Sequence, residues 1–259
     1  MANDVSRRRF FTTAGKVTAG AAIGAGMFST LSQQAEVEGS SDDLLQWPWP
    51  YAELDPEAVR ERAYAAYYEA GCAYGAFEGL IGELRANVGV PYTFMPTHMM
   101  EYGKGGVVGW GTICGALNGA SAVMSLVTES YGSLAKELVG WYTRTALPTF
   151  QPASPKLDLD TSSVAGSPLC HASVSKWCNE AGYAANAPER AERCARLTAD
   201  VAGHAATLLN HFAAGTFTPA WSRSDEVDNC MSCHGFGQEP EGDVLTEMNC
   251  LDCHDGHNM

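Results

Sequence analysis

Two copies of one short pattern near the C-terminus constrain this chain more than any other feature. Cys230-Met231-Ser232-Cys233-His234 and Cys250-Leu251-Asp252-Cys253-His254 both read C-x-x-C-H. That spacing serves the attachment of c-type haem: two thiols add to the porphyrin vinyl groups, and the next residue offers an imidazole to the iron. A zinc site built from the four cysteines would leave both histidines spare, and a pair of disulfides would leave the repeated histidine unexplained. The segment between the motifs holds Gly235, Gly237, Pro240 and several acids, and it has no helical period. Residues 216–259 are therefore predicted to be a loop-rich segment wrapped around two haems, with His234 and His254 as axial ligands. The second axial ligands must come from His98, His171, His204, His211, His257 or a methionine.

The rest of the chain can bury a core of its own. Its 259 residues are 46% hydrophobic and 18% charged, which suits one large domain or a domain with an appendage. No apolar run suits an ordinary membrane span, so no span is expected in the mature chain. The net charge of -14 argues against nucleic acid or anionic lipid as the main partner. It points instead to a redox protein with a basic docking patch. A chain of this size does not need disulfide staples, and nine cysteines cannot pair completely, so metal or cofactor attachment comes first.

Ser6-Arg7-Arg8-Arg9-Phe10-Phe11 precedes a mild Ala/Gly-rich stretch over residues 14–27. It resembles a twin-arginine export signal, so residues 1–35 are read as an address and the mature protein as periplasmic. Ala35 offers a small residue for cleavage, although Gln33 spoils an A-x-A site. Losing Arg7, Arg8, Arg9 and Lys16 with only Asp4 would make the mature chain more acidic. This route carries folded proteins, often with a cofactor already inserted.

Residues 36–55 form an extended, aromatic lead-in. Asp55-Pro56-Glu57 reads as a helix start, and that helix is predicted to reach Asn87 with Cys72 in its middle. Glycines at 103, 105, 106, 109 and 111 argue against a helix before Thr112. Further helices are expected from Thr112, over 131–146, over 170–180 and over 188–214, with a proline-rich loop at 148–168. The fold class is all-α: a bundle of about five helices across residues 56–215, followed by the dihaem segment.

The body cysteines are Cys72, Cys114, Cys170, Cys178 and Cys194. Buried free cysteine is commonly a small apolar residue. Here three of the thiols sit in Gly/Ala-rich or helix-start settings, which suits an iron–sulfur cluster held by four thiolates. The order Cys72 in G-C-A-Y-G-A-F, Cys114 in C-G-A-L-N-G-A, Cys170, and Cys194 in E-R-C-A-R-L resembles the C_GCAxxG_C_C redox family. With the export signal before it and the two haem motifs after it, the whole chain resembles the split-Soret cytochromes c. That resemblance implies a homodimer with two bis-histidine haems per subunit packed edge to edge. One axial histidine would come from the partner. It also implies a cluster on Cys72, Cys114, Cys170 and Cys194. Cys170 and Cys178 share a helix, so the choice between them stays open.

Haem c is attached outside the cytoplasm, whereas an iron–sulfur cluster is built inside, so folded export favours a cluster. His171 follows Cys170 and would place a haem beside it. His98 sits among Met95, Met99 and Met100. These two histidines are ranked first as distal ligands. His204 and His211 lie seven apart on one helix face, and His257 is too near His254 to reach across the same haem but could serve a neighbouring haem or the partner subunit. The leading expectation is a periplasmic dihaem electron carrier with a cluster-binding body. The rival is a small oxidoreductase with an open haem site, reducing a small inorganic substrate. A haem store without a cluster would differ in its iron and sulfide content.

Overall fold

The computed structural model describes residues 46–237 and 242–256. The export signal, its cleavage site and His257 lie outside the described residues. Among those described are seven α-helices, short 3-10 turns and one two-stranded ladder, so the chain is all-α as expected.

Helix α1 (Pro56–Ala70) starts where the sequence says it should. Asp55 accepts a 2.9 Å bond from the Glu57 amide, and Pro56 takes the first helical position. The expected single helix to Asn87 is broken at Gly71, which stands at φ 89° and separates α1 from α2 (Cys72–Asn87). A side chain there would also meet the Lys104 Cβ at 2.7 Å. Cys72 consequently opens a helix instead of sitting inside one. Helix α3 (Gly115–Val127) begins three residues later than expected, and Cys114 is its N-cap residue. Helix α4 (Tyr131–Arg144), α5 (Cys170–Ala181) and α6 (Pro188–Ala213) lie close to their predicted bounds.

The 26-residue α6 is the axis of the body, and α1, α2, α3 and α4 all pack on it. Leu80, Leu117, Met124, Leu138, Val201 and Leu209 belong to the one large core between these helices. The loop between α4 and α5 is closed at its base by the ladder of β1 (Ala146–Leu147) with β2 (Ser163–Val164). Its interior is tied to α6. Arg196 donates to the carbonyls of Leu157 at 2.7 Å and Leu159 at 3.2 Å and to Gln151 Oε1 at 2.7 Å. Its charge is balanced by Glu192 at 2.8 Å, which also accepts from the Tyr64 and Tyr68 hydroxyls. Asp200 accepts from the amide and hydroxyl of Thr149, at 2.7 and 2.8 Å.

The tail is less loop-like than its composition suggests. Helix α7 (Asp225–His234) carries the first C-x-x-C-H motif. Ser224 caps it, and Asp225, Glu226 and Asp228 place negative charge against its N-terminal amides. The tail docks on α4. Glu137 accepts from the amides of Ala220 and Trp221, and Arg144 donates to the Ser222 carbonyl at 2.8 Å. The Trp221 indole occupies the space a Cβ at Gly140 would need.

Candidate functional site

The body thiols are gathered by backbone pairing. Cys114 N–H donates to the Pro168 carbonyl at 2.8 Å, and Cys170 N–H donates to the Thr112 carbonyl at 2.7 Å. Ile113 and Leu169 form the antiparallel bridge between them. This short clamp sets the start of α5 against the start of α3. Cys72 meets the same point from α2, because a Cβ at Gly115 would stand 2.5 Å from its sulfur. Cys194 arrives from α6.

The electrostatics record the gathering. Burial pushes the Cys72 thiol up to about 12, and Cys114, Cys194 and Cys170 add to that push. Burial, then Cys114 and Cys194, raise Cys170 to about 12 as well. Burial also raises Cys114, opposed by its bonds from Tyr142 and the Ala116 amide. A metal entering this site must therefore displace protons. Cys178 is half-buried two turns further along α5, where burial and then Cys194 raise its thiol. The structure thus brings Cys72, Cys114, Cys170 and Cys194 together and leaves Cys178 at their edge.

Among the described residues, no three His, Cys, Asp or Glu side chains are gathered tightly enough to hold a single metal ion. A lone zinc would demand sulfurs at about 2.3 Å from one point. A polynuclear cluster spreads its thiolates wider, and four thiols from four helices fit that case.

Two backbone amides are aimed at the sulfurs. Gly105 bonds Cys72, and Ala116 bonds Cys114. Gly105 opens a run of left-handed residues. Gly105 and Gly106 stand at φ 64°, Val107 at 58°, Val108 at 50° and Gly109 at 83°. A β-branched residue in that region costs about 1–3 kcal/mol. The turn is held by Val108 N–H on the Tyr102 carbonyl at 2.9 Å and Gly111 N–H on the Gly105 carbonyl at 3.0 Å.

The haem motifs line one cavity of about 720 Å³. Cys230, Cys233 and His234 reach it from α7, and Cys250, Cys253 and His254 from the short 3-10 turn Cys250–Asp252. The volume is that of a site for a large ligand. Burial and the neighbouring Cys230 thiol raise the Cys250 thiol, so the two motifs face each other. None of the nine cysteines, all of them among the described residues, is in a disulfide. His234 donates its Nδ1 proton to the Gly242 carbonyl at 3.0 Å, which leaves Nε2 with the lone pair a metal needs. The opposite wall belongs to the body: Gly166, Ser167 and Leu169, the residues just before Cys170.

The distal histidines separate clearly. His171 is exposed and donates Nδ1–H to the Gly111 carbonyl at 2.8 Å, again presenting Nε2 outward. His98 is exposed and stacked on Tyr74 at 4.7 Å. Neither lines the haem cavity within the chain. His204 is stacked on Trp141 at 4.0 Å and held neutral by burial, so packing accounts for it. His211 ends α6 at the surface.

Sequence reasoning missed the side chains that surround the thiols. Arg193 and Ser173 are buried beside them, and Tyr142 reaches Cys114. The available signal was an arginine next to Cys194 on a face that also carries Leu197, Val201 and Leu208 at core spacing.

The profile of the family described as redox-active and named for its C_GCAxxG_C_C pattern matches residues 74–208. That span holds Cys114, Cys170 and Cys194, and Cys72 lies two residues before it. The split-Soret cytochrome c of Desulfovibrio desulfuricans is 35% identical over 255 residues, covering 92% of this chain and 91% of that protein. A solved structure of the split-Soret cytochrome c from Desulfovibrio desulfuricans, reported for a novel iron centre, superposes with a TM-score of 0.74. It is 38% identical and covers 81% of this chain and 91% of that one. A body of clustered thiols joined to a tail with two C-x-x-C-H motifs, matched over nearly its whole length, makes this chain a member of the split-Soret cytochrome c family, a family of redox electron-transfer proteins.

Proposed function

We propose that this chain is a periplasmic electron carrier with two c-type haems and an iron–sulfur centre in its helical body. The single cavity lined by both C-x-x-C-H motifs carries the first part. Cys230 with Cys233, and Cys250 with Cys253, hold the two porphyrins, and His234 and His254 are the proximal ligands. Each haem supplies a one-electron ferric–ferrous couple. The chain's part is to fix the His234 ring through its Nδ1–H on the Gly242 carbonyl, set the two motifs in one cavity, and close one side of the site with Gly166, Ser167 and Leu169. Cys72, Cys114, Cys170 and Cys194 hold the body centre. Because Leu169 lines the cavity and Cys170 follows it, one peptide unit joins the two redox sites.

The protein works as a homodimer. Phe94, Met99, Tyr102, Val108 and Trp110 are exposed around His98 and His171, and Trp110 is 83% exposed. Large apolar side chains exposed together in one segment favour an interaction site. The two histidines there are the candidates to complete haems across a dimer interface. The twin-arginine pattern at Arg7 and Arg8 supports export as a folded unit. The net charge of -14 supports docking to a basic redox partner.

The test is the optical spectrum of the purified protein, oxidised, reduced, and reduced under carbon monoxide. A split Soret band indifferent to carbon monoxide is expected, since paired six-coordinate haems leave no open iron. A single band that shifts with carbon monoxide would instead indicate an open site and a reductase.

A further inference from the structure

The body site contains a buried charge with no carboxylate beside it. Arg193 is 1% exposed. Among the described residues it makes no ion pair with a carboxylate, unlike its neighbour Arg196, which has Glu192. Its Nη2 donates to Ser173 Oγ at 2.8 Å, its Nη1 lies 3.8 Å from Cys194 Sγ, and its Nε has no hydrogen-bond partner. A buried guanidinium without an anion is strongly disfavoured. Four neutral thiols do not balance it, but thiolates on a metal centre do.

The contact extends beyond Cys194. Ser173 Oγ is also bonded to the Tyr142 hydroxyl at 2.8 Å, and Tyr142 in turn bonds Cys114. Hydroxyl hydrogens rotate to suit their partners. In the structure the Tyr142 hydroxyl donates to Ser173 Oγ; with Cys114 as a thiolate both hydroxyls turn, and the donors run from Arg193 to Ser173, from Ser173 to Tyr142 and from Tyr142 to sulfur. With Cys114 as a thiol, the two hydroxyls have no anion to orient them.

We infer that Arg193 is the fixed counter-charge of the body iron centre, acting on Cys194 at close range and on Cys114 through Ser173 and Tyr142. It is a positioning residue, since it binds no metal itself. This rests on the body thiols holding an iron centre. A positive charge here favours the more negative, reduced state of the centre, so it sets the midpoint potential and helps retain the metal.

The experiment compares wild type, R193Q and R193K as holoproteins. Iron and acid-labile sulfide per chain are measured first, and helical content is checked by circular dichroism. The body centre is then titrated with dithionite under electron paramagnetic resonance, with the haems as internal reference. R193Q should lower the reduction equilibrium of the body centre about tenfold, roughly 59 mV for one electron. R193K should keep most of the wild-type value, and the haem potentials should not move. Folded R193Q that loses its iron while R193K keeps it would also support the charge. An unchanged potential in R193Q would overturn the inference. So would R193K falling, in potential or in iron, as far as R193Q, because shape and not charge would then be what matters. A wild type with no iron beyond its haems removes the body centre itself, and the counter-charge with it; that outcome is read from the wild type alone.

Discussion

Replacing Glu192 by alanine tests how the body holds the loop that delivers Cys170. Glu192 is fully buried and accepts from Arg196 Nε at 2.8 Å, from Tyr64 at 2.9 Å and from Tyr68. The Arg196 guanidinium, 2% exposed, in turn satisfies carbonyls of the loop at Leu157 and Leu159. E192A leaves that charge buried and unpaired, a loss of about 3–5 kcal/mol. For a domain of this size, each kcal/mol moves the thermal midpoint about 2–4 °C, so the midpoint should fall by about 6–20 °C. E192Q keeps a carbonyl oxygen for a tyrosine hydroxyl and should fall in between. Local loosening should show as well: trypsin should cut after the exposed Lys156 faster in E192A than in wild type at a temperature where both are folded. Circular dichroism melting and timed proteolysis read the two effects. An E192A midpoint within about 2 °C of wild type would refute the reasoning, because Arg196 would then have found another way to shed its charge.

Three further outcomes are expected. C170S should lose the non-haem iron and acid-labile sulfide, whereas C178S should retain both, as measured by iron and sulfide analysis on haem-loaded protein. His204 is pushed down to about 4 by burial, with Arg60 adding to the effect, while an unfolded histidine titrates near 6.5. The unfolded chain therefore binds the proton first as pH falls, so stability is lost between those values; H204F, which keeps a ring against Trp141, should flatten that part of the urea-midpoint profile. Electron transfer to a basic redox partner should slow as ionic strength rises in stopped-flow mixing, and a rate indifferent to salt would dispose of charge-steered docking.

The two C-x-x-C-H motifs stand out in the sequence because the covalent chemistry of haem attachment fixes such a spacing regardless of fold. The start of α6 was legible from Pro188 with Glu189, which are local signals. The break at Gly71 was not, because one glycine inside G-C-A-Y-G-A reads as a close-packed helix interior until its φ is known. Helix α7 was missed for another reason: Val227 is its one buried residue, so it has no apolar period, although the Ser224 cap and its acids were in view. The choice of Cys170 over Cys178 depends on the Ile113–Leu169 bridge, a pairing between segments 56 residues apart that no local pattern announces. Arg193 escaped because the role of a buried arginine depends on what tertiary packing sets beside it.

The shared wall of the haem cavity bears on how such a protein can be rearranged. Gly166, Ser167 and Leu169 belong to the thiol-bearing body, yet they line the same cavity as both C-x-x-C-H motifs. The C-terminal segment is therefore no transplantable cartridge. Grafted onto another scaffold it would keep its thioether bonds and lose one side of its shelter, letting water in and drawing the potentials of its haems downward. Recombination that shuffles haem tails between proteins should accordingly keep the segment before Cys170 together with the tail, although some sixty residues and a whole long helix separate the two along the chain.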